Sequence, residues 1–323
     1  MLLTLDEIEK ITFGANRIVK DDYFSFHRMS LTEQSVYAQN DDLFRKTYAT
    51  SGIRLDFETD ACSIAFSYKM TRASSRKSTF FDVYINGVFV ESIGEINAGE
   101  NIKGQYYRQL ANGKKRIIVY FSNLYSLQLK EVCLGEATFI KPYNYDISIL
   151  AYGDSITQGY DAIFPSCSYI NQLALKLNAY VYNKAIGGDI FRPQLIEKNN
   201  IIPDIVTVAY GTNDWSHCTR EEFAENLVNF LNKLVLNYSD SKIFVITPIW
   251  RKDFEKQTAY GDFSDLIQTI ENECEKYNSI TLVKGEELLP HTDLLFSDGY
   301  LHPNDLGMRI YADSLYKKMK GNI

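Results

Sequence analysis

Short apolar runs alternate with amphipathic helical patterns along the second half of the chain. Predicted strands cover residues 147–152, 179–183, 205–210, 242–247 and 279–283. Helices are predicted between them. One of these helices begins after Thr219, which matches a capping box together with Glu222. A last helix is expected from about residue 303 to about residue 319. Because strands that alternate with helices form parallel sheets covered on both faces, this half predicts an α/β domain with right-handed connections.

The first half of the chain has the pattern of a β domain. Strands are predicted at residues 53–57, 63–68, 80–85, 88–93, 115–121 and 132–140. Asn86 and Gly87 separate two of these strands and suit a tight hairpin turn, which needs positive φ angles. With no convincing helix among them, the strands predict a β-sandwich or jelly roll.

A composition change after Pro142 suggests where the two halves meet. Proline is expected to end the last strand of the β half, and residues 141–146 are the predicted linker. We therefore predict a β-sandwich accessory domain at residues 1–145 and a second, α/β domain at residues 146–323. The length of the chain also favours two domains.

The composition limits the function classes. The chain has 323 residues and a net charge of −7, which argues against nucleic-acid binding because that requires a basic surface. It has no apolar run long enough for a membrane helix and no signal-peptide pattern, so we expect a cytoplasmic protein without membrane partners. The five scattered cysteines lack metal-ligand spacing and are expected to be reduced thiols. The sequence leaves the oligomeric state open.

Ser155 follows the first predicted strand of the α/β half, in a polar turn that begins at Gly153. Ligand sites in open α/β sheets lie past the carboxyl ends of strands, so Ser155 is a candidate nucleophile. The alternative is that Ser155 only caps the next helix, as serines in turns often do. Gly188 and Asn213 follow the next two predicted strands and are expected at the same edge of the sheet.

Four sequence blocks, at residues 147–159, 183–189, 210–214 and 298–303, resemble the signature blocks of the SGNH (GDSL-type) esterases and acylhydrolases. They occur in the order found in that family. The resemblance implies a flavodoxin-like three-layer α/β/α domain, with Ser155 as nucleophile and His302 as base. It also implies an oxyanion hole formed by the backbone of Ser155 and Gly188 and the side chain of Asn213. More faintly, the first half resembles the β-sandwich that precedes the catalytic domain in several SGNH esterases and acyltransferases.

These residue types suit ester cleavage. A serine hydroxyl needs a base that takes its proton as it attacks, and histidine suits this task because its pKa lies near neutrality. His302 is the favoured base, and His217 is its rival. Asn213 offers an amide donor, and Gly188 lacks a side chain, so that its N–H can approach a substrate oxygen closely. The alternative for both is an ordinary turn residue.

The acid of the catalytic set departs from the family pattern. The family acid normally stands three residues before the histidine, and that position is Gly299 here. Asp298, four residues before His302, reaches the imidazole if the loop bulges. Alternatively, a backbone carbonyl orients His302 in a Ser–His dyad, as in some carbohydrate acetyl esterases of this fold. The bulged loop is the favoured interpretation, and Asp154 is expected to hold the serine turn rather than to react.

Residues past the third and fourth predicted strands are candidates for substrate binding. Trp215, Trp250 and Arg251 could form a sugar shelf and a polar contact, or they could pack at the rim of the site. The aromatic residues of the first half could also stack on sugars, although core packing is favoured for them. Cys167 and Cys218 fall near the predicted site, but neither has the sequence context of a nucleophile.

The expected function is hydrolysis of a short O-acyl ester, an acetyl ester in particular, on a carbohydrate, so that the expected partner is a small-molecule or oligosaccharide ester. The reaction would proceed through an acyl-serine, without a metal or organic cofactor. One alternative is an O-acyltransferase, because the chemistry then differs only in what attacks the acyl-enzyme. Another is a sugar-binding protein with a vestigial site, against which the intact set of Ser155, Gly188, Asn213 and His302 argues.

Overall fold

In the computed structural model of the protein, antiparallel strands dominate residues 1–145, which we call the N-terminal region. The structure describes residues 1–197 and 201–322. The strands of this region are β1 (Thr12–Phe13), β2 (Arg17–Lys20), β3 (Phe24–His27), β4 (Arg54–Thr59), β5 (Ser63–Arg72), β6 (Phe81–Ile85), β7 (Val88–Ile93), β8 (Asn101–Gln109), β9 (Lys115–Tyr120), β10 (Tyr125–Gly135) and β11 (Ile140–Pro142).

These strands form two facing sheets. One has the order β1-β4-β9-β6-β7, with β11 also paired to β4, and the other has the order β2-β3-β10-β5-β8. Inward side chains of both sheets share one buried cluster, which contains Leu55 and Ile117 from the first sheet and Phe66 and Leu127 from the second. Two antiparallel sheets that bury a common apolar core make a β-sandwich, so the predicted fold of this region is confirmed.

The hairpin between β6 and β7 has the predicted turn. Asn86 and Gly87 have φ angles of 51° and 77°, and Ile85 pairs with Val88 across them. The strand predicted at residues 132–140 is wrong in extent, because β10 runs from Tyr125 to Gly135 and β11 starts only at Ile140. The pairing of β10 with β5 also shifts its register between Lys130 and Cys133, which interrupts the alternation on which the prediction relied.

The parallel sheet lies in the second half of the chain. Its strands are β12 (Ile147–Gly153), β13 (Ala179–Asn183), β14 (Ile205–Ala209), β15 (Lys242–Ile246) and β16 (Ile280–Val283). They pair in the order β13-β12-β14-β15-β16, all parallel. Numbered from β12, this is the flavodoxin-like order 2-1-3-4-5, and ligands bind where that order reverses, beside the first strand.

Helices cover both faces of the parallel sheet. The α-helices of the described residues are α1 (Leu5–Ile11), α2 (Leu31–Val36), α3 (Asp41–Lys46), α4 (Ser155–Gln158), α5 (Tyr169–Lys176), α6 (Asp214–His217), α7 (Arg220–Asn237), α8 (Phe263–Cys274) and α9 (Asp305–Met319). Helices α7 and α8 share a buried cluster with Leu150 and Val208, whereas α5 and α9 share another with Ile149 and Phe244. The predicted α/β/α layering is therefore confirmed. Among the described residues, none of the helices combines the length and apolarity that a bilayer span requires.

Three short helices correct the expectation that the N-terminal region has no helix. Helices α1 and α2 begin with capping boxes, in which Thr4 pairs with Glu7 and Ser30 pairs with Glu33. Helices α2 and α3 place Tyr37 and Leu43 in the same apolar cluster as α7 and α8 of the α/β half. The N-terminal region thus continues onto the parallel sheet, and the domain boundary at residues 145 and 146 stays a prediction.

Candidate active site

Ser155 is the first residue of α4, directly after the carboxyl end of β12. The cap of this helix is Asp154, whose carboxylate accepts a hydrogen bond of 3.0 Å from the N–H of Ile156. Ser155 therefore does not serve as the cap, which was the alternative to a catalytic role. A Cβ at Gly153 would lie 2.3 Å from the Thr157 hydroxyl oxygen, so the sharp turn into α4 requires glycine.

Asp154 is buried beneath the serine turn. Burial raises the pKa of its carboxyl to about 6, although the hydrogen bond from Ile156 opposes this shift. No hydrogen bond joins Asp154 to the serine hydroxyl among the described residues. Asp154 accordingly holds the turn, as predicted from the sequence.

His302 contacts the serine hydroxyl. Its Nε2 lies 2.8 Å from Ser155 Oγ, and only 12% of its side chain is exposed. Its ring also stacks on Tyr160, with ring centroids 6.0 Å apart. His217, the rival base, is exposed and uses its Nδ1 to contact the carbonyl of Asn213 instead. The structure thus brings His302, and not His217, to the serine.

The loop of residues 297–302, which we call the base loop, brings the acid to the imidazole despite the unusual spacing of the two residues. Asp298 Oδ2 lies 2.6 Å from His302 Nδ1, and Oδ1 accepts the backbone N–H groups of residues 300, 301 and 302 at 3.0, 2.8 and 3.1 Å. Gly299 has a φ of +75°, so the chain bulges at the residue where the family acid would stand. This is the geometry that the triad interpretation requires, and Asp298 occupies the position that a carbonyl would occupy in a dyad.

The electrostatics of Asp298 favour a charged carboxylate. Burial raises its pKa, but the bonds from the His302 imidazole and from three backbone N–H groups outweigh burial and hold the pKa well below its ordinary value. A carboxylate that stays ionised can fix the proton on Nδ1 of the imidazole, which leaves Nε2 free to accept a proton from serine.

A second carboxylate stands near the same imidazole. Asp161 Oδ2 lies 3.9 Å from His302 Nδ1, and a bidentate pair with Arg76 of the N-terminal region, at 2.6 and 3.2 Å, holds Asp161 in place. Sequence reasoning missed both residues. The only local signal is their position, since Asp161 follows the serine helix by three residues and Arg76 lies in an irregular segment after β5.

The loop of residues 183–189, which we call the oxyanion loop, presents Gly188 after β13. Gly188 has a φ of +90°, and its neighbour Gly187 donates its N–H to Gln158 Oε1 at 2.7 Å, which ties the loop to the serine helix. Within the described part of the chain, the N–H groups of Ser155 and Gly188 donate no hydrogen bond to protein. Both are therefore available to a substrate oxygen.

Asn213 is joined to the oxyanion loop from the opposite side. Its Nδ2 donates to the carbonyl of Asp189 at 2.9 Å, which orients the amide. A primary amide nitrogen carries two hydrogens, so the second N–H remains for a substrate. The three predicted oxyanion donors are thus connected to one another through Gln158 and Asp189.

Side chains of the N-terminal region form hydrogen bonds with the oxyanion loop. Sequence reasoning also missed these contacts. The Tyr37 hydroxyl donates to Asp189 Oδ2 at 2.6 Å, and Lys46 Nζ donates to the carbonyl of Gly187 at 2.7 Å. The buried guanidinium of Arg28 donates to the carbonyls of Asn183 and Ala185 at 2.8 and 2.7 Å. Every one of these bonds joins residues more than 140 positions apart in sequence.

Comparison with known proteins identifies the family of the α/β half of the chain. The family described as GDSL-like lipase/acylhydrolase matches residues 151–310. These residues form a GDSL-like acylhydrolase domain of the SGNH superfamily. The match of this domain supports an ester-hydrolysing enzyme. A search of curated protein sequences finds no match.

Solved structures of the same fold cover most of the chain, including the N-terminal region. A salicylyl-acyltransferase, SsfX3, from a tetracycline biosynthetic pathway has a TM-score of 0.79 at 19% identity, over 96% of this chain and 94% of its own. A family two carbohydrate esterase from Cellvibrio japonicus has a TM-score of 0.70 at 15% identity, over 98% and 96%. Another from Clostridium thermocellum, in complex with cellohexaose, has a TM-score of 0.64 at 18% identity, over 84% and 93%. At these identities the likeness establishes the fold.

Two of the three predicted substrate-binding residues are buried in the structure. Trp215 as an exposed sugar shelf is wrong, because its side chain is 1% exposed and its Nε1 donates to the carbonyl of Gly261. Arg251 as a free polar contact is also wrong, because it is 6% exposed and its guanidinium pairs with Asp253 at 2.6 Å and covers Trp215. The short helix α6 turns this segment inward after Asn213.

Trp250 keeps its place at the rim. It is half-buried, stacks on His291 with ring centroids 5.6 Å apart, and lines a cavity of about 260 Å³. A substrate contact of Trp250 stays a prediction.

The two cysteines near the predicted site do not have the properties of nucleophiles. Burial raises the pKa of the Cys167 thiol to about 12 and of the Cys218 thiol to about 11, which is the opposite of the shift that a nucleophilic thiol needs.

Proposed function

We propose that the protein is a serine esterase that hydrolyses short O-acyl esters, acetyl esters in particular, of carbohydrates through an acyl-serine intermediate. The observation that carries the proposal is the hydrogen-bonded series from Ser155 Oγ through the His302 imidazole to the Asp298 carboxylate. It lies at the point where the strand order of the sheet reverses, and free amide donors lie beside it.

The proposed reaction follows from this geometry. His302 Nε2 accepts the Ser155 proton as Oγ attacks the ester carbonyl carbon, and Asp298 stabilises the imidazolium that forms. The carbonyl oxygen becomes an oxyanion that accepts hydrogen bonds from the N–H groups of Ser155 and Gly188 and from the Asn213 amide. The tetrahedral species then expels the alcohol, which takes its proton from His302. Water, deprotonated by His302, releases the acid from the acyl-serine in the same way.

A cleft beside the base loop supports a carbohydrate as the alcohol. It has a volume of about 570 Å³ and includes Arg76 and Asn97 of the N-terminal region together with Asp161, Ser297 and Asp298. Ligand sites typically have volumes of roughly 300–1,000 Å³. Its lining combines these amide, hydroxyl and charged groups with the apolar side chains of Ile96, Leu124, Ala162 and Ile163, a mixture that can accept a sugar. Carbohydrate esterases are also among the structural neighbours.

The loops that carry the catalytic set support a short acyl group. The base loop has six residues and the oxyanion loop has seven, which is too few to enclose a long acyl chain. We therefore expect acetyl or propionyl esters to react fastest.

A panel of p-nitrophenyl esters tests the proposed acyl specificity, alongside acetylated xylo- and manno-oligosaccharides. We expect kcat/KM to peak at acetyl or propionyl, acetate to be released from the oligosaccharides, and both activities to vanish in Ser155→Ala. A maximum at acyl chains of about eight carbons or more, which need a long apolar groove, would refute the short-acyl specificity.

Acyl transfer is the second candidate, because an acyltransferase is among the structural neighbours, with a TM-score of 0.79. An acceptor hydroxyl would then replace water in the attack on the acyl-serine. Addition of a sugar alcohol to the p-nitrophenyl acetate assay separates the two. Acetate as the main product supports the esterase, whereas acetylated acceptor in large excess over acetate supports the transferase. Sugar binding without turnover of any ester would support the vestigial site.

A further inference from the structure

The ammonium group of Lys46 lies directly behind the oxyanion loop. Lys46 is the last residue of α3 in the N-terminal region, and 7% of its side chain is exposed. Its Nζ donates to the carbonyl of Gly187 at 2.7 Å and also pairs with the carboxylate of Asp42. A Cβ built on Gly188 would stand 3.7 Å from the same Nζ.

The carbonyl that Lys46 binds belongs to the peptide unit of the predicted oxyanion donor. The C=O of Gly187 and the N–H of Gly188 are the two ends of one planar peptide, and in a trans peptide they point in opposite directions. A cation held at the oxygen end therefore directs the N–H away from itself. It also polarises the amide, since hydrogen bonds through one group strengthen one another.

Two consecutive glycines make such a restraint necessary. Gly187 and Gly188 have no Cβ to limit their dihedral angles, so the peptide between them can rotate more easily than any other in the loop. The Gly187 N–H is held by Gln158, on the near side of Gly187. Among the described residues, the bond from Lys46 is the one that holds the Gly187–Gly188 peptide itself.

We propose that Lys46 is a positioning residue for the oxyanion hole, which orients and polarises the Gly187–Gly188 peptide so that the Gly188 N–H stabilises the tetrahedral oxyanion. The inference rests on the proposed function of Gly188 as an oxyanion donor. It extends the catalytic arrangement into the first 145 residues, outside every block that carries the family resemblance.

Lys115 offers a matched control. As whole residues, Lys115 is 4% exposed and Lys46 is 5% exposed, and Lys115 Nζ likewise donates to a backbone carbonyl at 2.7 Å. That carbonyl belongs to Ala61 in the β-sandwich and has no connection with the oxyanion loop. Lys46→Met and Lys115→Met thus remove the same group from equally buried sites, and only the first should affect the chemistry.

The experiment measures two rates in the full-length wild type, Lys46→Met and Lys115→Met. The first is phosphonylation of Ser155 by an alkyl fluorophosphonate, in which Oγ bonds to phosphorus, fluoride leaves and His302 takes the serine proton. The second is turnover of p-nitrophenyl acetate. Complete loss of an oxyanion donor lowers kcat by roughly 10²–10³-fold, and a misplaced or less polarised donor should lower it less.

We expect Lys46→Met to lower kcat and the phosphonylation rate about 5- to 10-fold with KM within about twofold, and Lys46→Arg to restore most of the loss. Lys115→Met should keep both rates within about twofold. Equal rates in Lys46→Met and wild type, or equal losses in both methionine variants, would overturn the proposal.

A second variant decides the question if Lys46→Met does not fold. Lys46→Gln keeps a hydrogen-bond donor without the charge, so both rates should fall about threefold. Wild-type rates in Lys46→Gln would overturn the proposal.

The two rates also separate this inference from the proposed function. A wild type that is phosphonylated normally but turns over no acetyl ester would refute the acetyl esterase, while the Lys46 comparison would still be decided by phosphonylation. A wild type that is not phosphonylated at Ser155 at all would refute both.

Discussion

The base loop and the oxyanion loop flank the same serine, but they are held in different ways. In the base loop, Asp298 accepts hydrogen bonds from three following N–H groups and from the imidazole of His302, all within four residues. In the oxyanion loop, the carbonyl of Gly187 and the carboxylate of Asp189 are bound by Lys46 and Tyr37, which lie 141 and 152 positions away.

The difference indicates that the general base is positioned locally, whereas the oxyanion hole depends on the N-terminal region. Loss of a contact inside the base loop should disable proton transfer directly. Loss of a contact behind the oxyanion loop should instead weaken stabilisation of the oxyanion and the stability of the fold together. The following predictions test this division, from the largest expected effect to the smallest.

Asp298→Asn should have the largest effect, because it removes the charge that fixes the imidazole tautomer. In serine proteases the corresponding change lowers kcat about 10⁴-fold. We expect a similar loss of kcat on p-nitrophenyl acetate, with little change in KM. Asp161→Asn is the control, since that carboxylate is 3.9 Å from Nδ1 and pairs with Arg76. A loss of only a few-fold in Asp298→Asn would favour the Ser–His dyad.

Asn213→Ala should have the next largest effect, on the oxyanion side. Removal of one oxyanion donor lowers kcat by roughly 10²–10³-fold. The affinity for a tetrahedral adduct, formed with a short alkyl boronic acid, should fall by the same factor as kcat/KM, because both depend on the oxyanion. If the boronic acid bound with wild-type affinity, the Asn213 amide would have no part in the oxyanion hole.

Tyr37→Phe tests the contact between the N-terminal region and the oxyanion loop with a smaller expected effect. It removes a buried hydroxyl that donates to Asp189 Oδ2 at 2.6 Å, and a hydrogen bond to a charged group contributes about 1.5–3 kcal/mol. We expect the free energy of unfolding in urea to fall by about this amount. Tyr84→Phe, which loses a half-buried bond to Ser166 in place of a buried one, should lose less.

Asp154→Asn tests the serine turn through pH. Burial raises the pKa of Asp154 to about 6 in the folded state, against 3.8 for an unperturbed carboxyl. The unfolded state therefore ionises first, and this residue lowers stability progressively as pH rises from about 4 to about 6. Asparagine can still cap α4, so the variant should gain up to about 3 kcal/mol over wild type at pH 7 and little at pH 4. A gain that is equal at both pH values would contradict the shifted pKa.

The comparison of the two loops also explains which parts of the molecule could be predicted from the sequence. Strands β12–β16 and the helices between them follow from apolar spacing, and the flavodoxin-like strand order agrees with the family resemblance. The base loop could be predicted because Asp298 and His302 are near neighbours in the chain. A bulge at Gly299 was sufficient to bring them together.

The contacts behind the oxyanion loop could not be predicted, because they pair residues that no local pattern connects. Tyr37 caps the C-terminus of α2, and Lys46 is the last residue of α3. The capping signals of these helices, at Ser30 and Asn40, precede helical segments of only six residues each. Trp215 shows the converse error. Its position after a strand suggested the rim of the site, but packing against Phe263 turns it into the core.

The most direct test of the account is the identification of the acylated residue. Wild-type protein mixed with p-nitrophenyl acetate and quenched in acid during turnover is digested and analysed by mass spectrometry. The account predicts one acetyl group on the peptide that contains Ser155, and none in Ser155→Ala. Turnover without an acetylated Ser155, or with the acetyl group on a cysteine or histidine instead, would contradict it.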